Sequence, residues 1–150
     1  MQVIINNKDD MIELARTFAK FCKKRDVILL NGDLGAGKTF FTKHFAKFLG
    51  VTDEVMSPTF TIAKEYYAKS VTLYHVDAYR LEDADENNDY LYDFYENGIT
   101  VIEWPEYVSD YLPYSYVQLY IKYDGGDKRK ISISFVNKDE LESRVCEYEL

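Results

Sequence analysis

Proline and glycine are scarce in this 150-residue chain, at 3 and 7 residues, which excludes a collagen-like repeat and a low-complexity linker. With 47% hydrophobic and 29% charged residues, intrinsic disorder is excluded as well, and the length suits one compact domain spanning 1–150. Cysteine is scarcer still: Cys22 and Cys146 stand far apart, outside any C-x-x-C pair, so neither a disulfide framework nor a zinc site is expected, only two plain buried thiols. No window approaches the roughly 18 uninterrupted apolar residues of a membrane span, and the opening MQVIINNKDD holds no signal-peptide core. A cytoplasmic chain without membrane attachment follows. Basic residues are outnumbered, 18 against 26 acidic, and a formal charge of −8 repels the phosphate backbone that supplies most nucleic-acid affinity.

What is present is a mixed α/β pattern. Ile4 and Ile5 suggest a short first strand, and Met11, Leu14, Ala15, Phe18, Ala19, Phe21 and Cys22 recur at helical spacing before the basic run Lys23, Lys24, Arg25. Val27-Ile28-Leu29-Leu30 is a continuous apolar run of the kind a fully buried parallel strand shows. A second helix is expected over 38–49, ended by Gly50, with Phe41, Phe45, Phe48 and Leu49 on its buried face. Strands are expected over 59–67, 71–77 and 99–103, with a polar, weakly helical connection over 85–95. Runs 116–123 and 130–135 alternate around Asp124-Gly125-Gly126-Asp127, a hairpin signal; the last dozen residues are ambiguous between types. The fold class expected is a single P-loop NTPase domain: a central mixed or parallel sheet flanked by helices, with a C-terminal antiparallel hairpin.

Gly32-Asp33-Leu34-Gly35-Ala36-Gly37-Lys38-Thr39 matches G-x-x-x-x-G-K-[ST] and lies between the buried strand and the second helix, the context this motif requires. Gly32, Gly35 and Gly37 let the backbone curl so that successive N–H groups point at phosphate oxygens, and the helix that follows adds its positive end. Lys38 reaches the β and γ phosphates in this arrangement, and Thr39 offers its hydroxyl to Mg²⁺.

Such a loop also needs carboxylates from the ends of neighbouring strands. Asp77 ends the run 71–77 and Glu103 ends 99–103, so both are candidates for the metal-binding and water-orienting acids. His75, two residues before Asp77, shares its sheet face and can support a carboxylate or a phosphate; a merely hydrogen-bonded, half-buried histidine fits equally well. Ser57-Pro58-Thr59-Phe60-Thr61 is a hydroxyl-rich stretch where nucleotide-sensing loops are found, with Thr59 the candidate for γ-phosphate or Mg²⁺. An ordinary turn explains it as well.

Four blocks, GDLGAGKT at 32–39, SPTFT at 57–61, YHVDAYRL at 74–81 and IEWPE at 102–106, together resemble the signature set of the TsaE family. The resemblance implies a bacterial Mg-dependent ATPase that works with the TsaB and TsaD proteins to form threonylcarbamoyladenosine in tRNAs reading ANN codons. It makes Lys38 and the backbone of Asp33, Leu34, Gly35, Ala36, Gly37 and Thr39 the cradle for ATP, puts Thr39 and Glu103 at Mg²⁺, and places Asp77 in the hydrolytic centre. Trp104 and Pro105 would shape the end of the Glu103 strand, and the base-binding edge would bring Lys8 and Lys128 near the adenine. The stretch ENNDYLYDFYENG before Ile99 departs from the family's pattern. Fourteen tyrosines, several clustered between 90 and 116, suit either a protein interface or core packing.

Three other readings compete. Asn7-Lys8-Asp9-Asp10 fits the guanine motif N-K-x-D of a permuted GTPase, but only 21 residues separate Asp10 from Gly32, nearly all claimed by the first helix, and no D-x-x-G follows Thr39. A small-molecule kinase would need an arginine cluster and a lid, whereas only Arg80, Arg129 and Arg144 lie beyond the loop. A non-enzymatic module, ordered by ATP to control docking, differs by using hydrolysis only to reset it. Direct tRNA binding by the isolated chain is not expected at this charge.

Overall fold

The hydrophobic runs assemble, in a computed structural model of the chain, into one seven-stranded sheet with helices packed on both faces; residues 1–56, 62–81 and 87–146 are described. The strands are β1 (Gln2–Ile5), β2 (Val27–Asn31), β3 (Ala63–Tyr67), β4 (Thr72–Asp77), β5 (Ile99–Glu103), β6 (Tyr116–Tyr123) and β7 (Arg129–Val136), in the order β1-β7-β6-β2-β5-β4-β3. β6, β2, β5 and β4 run parallel to their neighbours at the centre, while β7, β1 and β3 add antiparallel margins. The mixed sheet and C-terminal hairpin agree with the sequence reading. The expected Ser57 to Thr61 loop, the start of the strand expected over 59–67, and the first residues of the connection expected over 85–95 lie outside the described residues.

Alternation along the central strands sorts their side chains into two cores. Ile28, Leu30, Leu73, Val101 and Leu119 face α1 (Lys8–Phe21), α2 (Lys38–Leu49) and α4 (Asp139–Cys146), whereas Val27, Leu29, Val76 and Ile102 face α3 (Tyr90–Asn97) and two 3₁₀ turns. In α1 the buried residues Met11, Leu14, Ala15 and Phe18 follow the spacing of one helix face, and the Asn7 side chain caps the start by accepting from the Asp10 N–H at 2.9 Å. α2 ends as expected at Gly50, whose left-handed backbone lets its N–H turn back to the last carbonyls.

Of the ambiguous C-terminal stretch, Asp139–Cys146 forms α4, which buries Leu141 and Val145 in the first core. Just before it, Lys138 Nζ donates to Asp26 Oδ1 at 2.8 Å, and the other oxygen of this fully buried carboxylate accepts from the Lys23 N–H at 2.8 Å. The pair therefore ties α4 to the base of β2. Among the described residues, no helix is long and apolar enough to cross a membrane.

The thiols differ from the expectation of two buried cysteines. Cys22 packs beside the first core, where burial, reinforced by the Asp26 carboxylate, pushes its pKa far above the ordinary thiol range; Cys146 is exposed. A raised pKa means less thiolate, so at pH 8 a disulfide reagent should meet one fast thiol, Cys146, with Cys22 at least about tenfold slower. Cys146→Ser should remove the fast phase; a fast phase that survives it would contradict the packing of Cys22.

The tyrosine cluster resolves largely into the second core. Tyr95 is buried and its hydroxyl donates to the Tyr111 carbonyl at 2.9 Å, Tyr92 packs against both rings, and Tyr107 stacks on Trp104; Tyr114 stands exposed. Packing thus accounts for most of these rings.

Candidate functional site

β2 runs between β6 and β5, and the loop 32–39 leaves it at the carboxyl end of the parallel strands, where ligands bind in open α/β sheets. Gly32 has φ +154°, and a Cβ there would lie 2.6 Å from the Ile121 carbonyl of β6, so only glycine lets the chain turn out of the strand so tightly. Gly37, at φ +115°, opens α2 with no side chain to cap it. The first-turn N–H groups of α2 therefore have no capping side chain among the described residues, the geometry in which a helix receives an anion.

Lys38 is almost fully buried. Its ammonium donates to the carbonyl oxygens of Gly32 and of Asp33, the latter at 3.0 Å, and lies 4.1 Å over the Trp104 ring. Burial pulls its pKa below the ordinary lysine range, while the carboxylates of Glu103, Asp77, Glu106 and Asp33 act in the opposite direction. Trp104 holds its place with left-handed backbone (φ 58°) at the turn out of β5, and Pro105 begins the 3₁₀ turn that follows.

The two strand-end acids are brought together, because the parallel pairing of β4 and β5 sets Asp77 opposite Glu103. Glu103 is buried: Thr39 Oγ1 donates to its Oε1 at 3.3 Å, and His75 Nε2 meets its Oε2 at 2.5 Å. The imidazole is wholly buried, and its Nδ1 has no hydrogen-bond partner among the described residues. Glu103 is thus a hydrogen-bonding partner of His75, a contact that fits both the support of a carboxylate and a merely hydrogen-bonded histidine. Asp77 Oδ1 accepts from the Tyr79 N–H at 3.1 Å, which turns the carboxylate at the strand end.

Two cavities flank the loop. One, of about 290 Å³, is lined by Lys38, Thr39, Asp77, Glu103, Trp104 and the loop backbone from Leu34 to Gly37. The other, of about 170 Å³, is mainly apolar and lies between Ile5, Lys8, Met11, Phe40, Asp127, Arg129 and the Gly35 to Gly37 backbone. The sheet order explains the second cavity, since β1 pairs with β7 and brings the residues after Ile5 beside the hairpin. Lys8 is placed there; Lys128 instead stays exposed in the hairpin turn and does not line the cavity. The Asp33 and Leu34 side chains are exposed, and the Asp33 carbonyl accepts from Lys38.

Arg129, Phe40 and Met11 adjoin the loop, although no local pattern announces it. A Phe on a helix and an Arg at a strand start look like ordinary core and surface residues until the strand order is known. Asp77, His75, Glu103, Lys38 and Thr39, spread over much of the chain, do converge.

Comparison with known proteins gives a consistent result. The family model described as Threonylcarbamoyl adenosine biosynthesis protein TsaE matches residues 5–131. The tRNA threonylcarbamoyladenosine biosynthesis protein TsaE of Bacillus subtilis is 43% identical over 142 residues, covering 94% of this chain and 88% of that protein. The protein of the same name from Rickettsia bellii is 36% identical over 135 residues, covering 89% and 94%. Among solved structures, Bacillus subtilis YdiB superposes with a TM-score of 0.85 at 35% identity, covering all of this chain and 96% of that one.

Proposed function

The chain belongs to the TsaE family, and from that premise we propose that it is a Mg-dependent ATPase acting with the TsaB and TsaD proteins to form threonylcarbamoyladenosine in tRNA. One observation carries the reading: Lys38, Thr39, Glu103 and Asp77 line a single cavity at the mouth of a glycine loop whose helix has no cap. A triphosphate set against the loop 33–39 satisfies its open N–H groups, the Ala36 N–H already donating to the Asp33 carbonyl at 3.0 Å, and Lys38 exchanges the Gly32 and Asp33 carbonyls for phosphate oxygens. The mainly apolar cavity beside Lys8 and Phe40 suits a stacked base. Lys128, displayed on the turn, is left to approach the same ligand from outside.

The donor set fits Mg²⁺. Adjacent ligands of an octahedral ion with bonds of about 2.1 Å sit about 3 Å apart, and Thr39 Oγ1 and Glu103 Oε1 are 3.3 Å apart. Among the described residues no three His, Cys, Asp or Glu groups form a metal cage, in keeping with an ion that shares its ligands with substrate phosphates and water. Bound there, Mg²⁺ neutralises charge on the phosphate oxygens. Thr39 and Glu103 would hold the ion, with His75 holding Glu103, and Asp77 would orient the water that attacks the terminal phosphorus as its bond to the bridging oxygen breaks. ADP and inorganic phosphate leave, and the partner complex is reset.

With a net charge of −8, tRNA contact falls to the partner proteins, and the chain acts in the cytoplasm. Reconstitution tests the proposal: purified TsaB and TsaD with a threonylcarbamoyl donor and tRNA should yield modified adenosine over repeated cycles only when this chain and ATP are added. Equal yield without the chain would overturn it. Negligible turnover alone, with modification still requiring Lys38 and Asp77, would show hydrolysis gated by the partners.

A further inference from the structure

Arg129, the first residue of β7, is used in an unusual way for a guanidinium. Its four hydrogen bonds all go to backbone carbonyls: Nε to Ala36 at 2.9 Å, Nη2 to Gly35 at 3.4 Å, and Nη1 to Gly126 at 2.8 Å and to Lys128 at 2.9 Å. The Tyr123 ring backs the group, with its centroid 5.0 Å from Cζ. One side of the fork therefore grips the hairpin turn and the other grips the loop 32–39, more than ninety positions earlier in the chain.

Peptide planarity gives this grip a consequence. The Ala36 carbonyl and the Gly37 N–H belong to one plane and point in opposite directions, so a carbonyl drawn to Arg129 turns the Gly37 N–H away from the hairpin. That plane is also a soft one. A peptide flips by changing ψ of one residue and φ of the next, and here the next residue is Gly37, free to take either sign of φ. Flipped, the plane would present a carbonyl dipole where an anion is to be received.

We infer that Arg129 is a positioning residue for nucleotide binding: by holding the Ala36 carbonyl it locks the Ala36–Gly37 peptide with its N–H available to phosphate. This rests on the reading of 32–39 as the nucleotide loop. No base contact is needed for it, even though Arg129 also walls the mainly apolar cavity.

Inorganic pyrophosphate and ATP, titrated separately with Mg²⁺ into the wild-type chain, Arg129→Gln and Arg129→Lys, tell these roles apart. Both variants should lose at least about tenfold in affinity for both ligands, because lysine keeps the charge but not the fork that spans two carbonyls. Loss for ATP with pyrophosphate unchanged would reduce Arg129 to a wall of the base cavity, and full affinity in Arg129→Lys would reduce it to a distant charge; either result overturns the inference. The Gly37 amide resonance supplies a measurement independent of ligand: one sharp signal in the wild type, and a broadened or doubled one in Arg129→Lys. An unaltered Gly37 signal in a folded variant would also overturn it. Failure of the wild type itself to bind either ligand would instead refute the nucleotide reading.

Discussion

Lys38→Ala should leave a folded protein whose affinity for Mg-ATP is lower by at least about 100-fold, measured by calorimetry. Among the described residues Lys38 is the one cationic side chain lining the larger cavity, which also holds the carboxylates of Asp77 and Glu103. Without it, a triphosphate faces two negative groups with no protein cation there among the described residues, only backbone dipoles and the ion it carries, to oppose them. The cost to folding should be small by comparison, because the ammonium bonds two carbonyls at the loop's mouth and an aromatic face, and among the described residues the buried carboxylates of Glu103 and Asp26 take their close ion-pair partners elsewhere, from His75 and Lys138. Retention of near wild-type affinity would show that the loop does not receive phosphate.

Glu103→Gln should separate chemistry from binding. The amide keeps the size of the carboxylate and can still accept from Thr39, so nucleotide affinity should stay within a few-fold; the loss of a negative oxygen beside the Thr39 hydroxyl should cut Mg-dependent phosphate release by about 100-fold or more. Alanine is the poorer probe. It would leave a wholly buried imidazole with neither nitrogen bonded, since His75 Nε2 meets Glu103 and Nδ1 has no partner among the described residues, and instability would then mix with lost turnover. Phosphate release measured against Mg²⁺ concentration, beside calorimetry on the same preparation, gives both quantities. Wild-type turnover in Glu103→Gln would remove Glu103 from the chemistry.

The parts of this site that sequence could reveal are those whose geometry is local. A buried strand, a glycine loop and a helix follow one another over 27–49, and each is set by residues within a few positions of itself, so β2 and α2 lie where the pattern puts them. β5 is likewise the run 99–103, and its end, like that of β4, is marked by an acid after apolar residues. Their meeting needed only the assumption that both strands run parallel to β2, which the loop motif already implies.

Local pattern could not show what depends on pairing across the chain. The β1–β7 pairing joins Ile4 to Lys130, and no short-range signal announces it. Lys128 illustrates the difficulty: the family resemblance puts it near the base, yet it stays in the turn while the next residue, Arg129, enters the strand and reaches the loop. A single step in register separates an exposed side chain from one that touches the site. α4 was illegible for a related reason. Its short polar sequence becomes a helix against a surface that α1 and β7 create, and an isolated helix of that length has little stability of its own.

That last helix lies outside the span of the family model but inside the folded unit. The family model ends at residue 131, but Val136 closes the pairing with Tyr116, Leu141 and Val145 fill the first core, and Lys138 neutralises Asp26 beneath β2. A recombinant fragment trimmed to the matched span would keep every residue of the phosphate loop and of the paired acids. It would nonetheless strand a carboxylate in the interior and open the apolar side of α1 to water, so such a fragment would be an aggregating remnant and no minimal version of the protein.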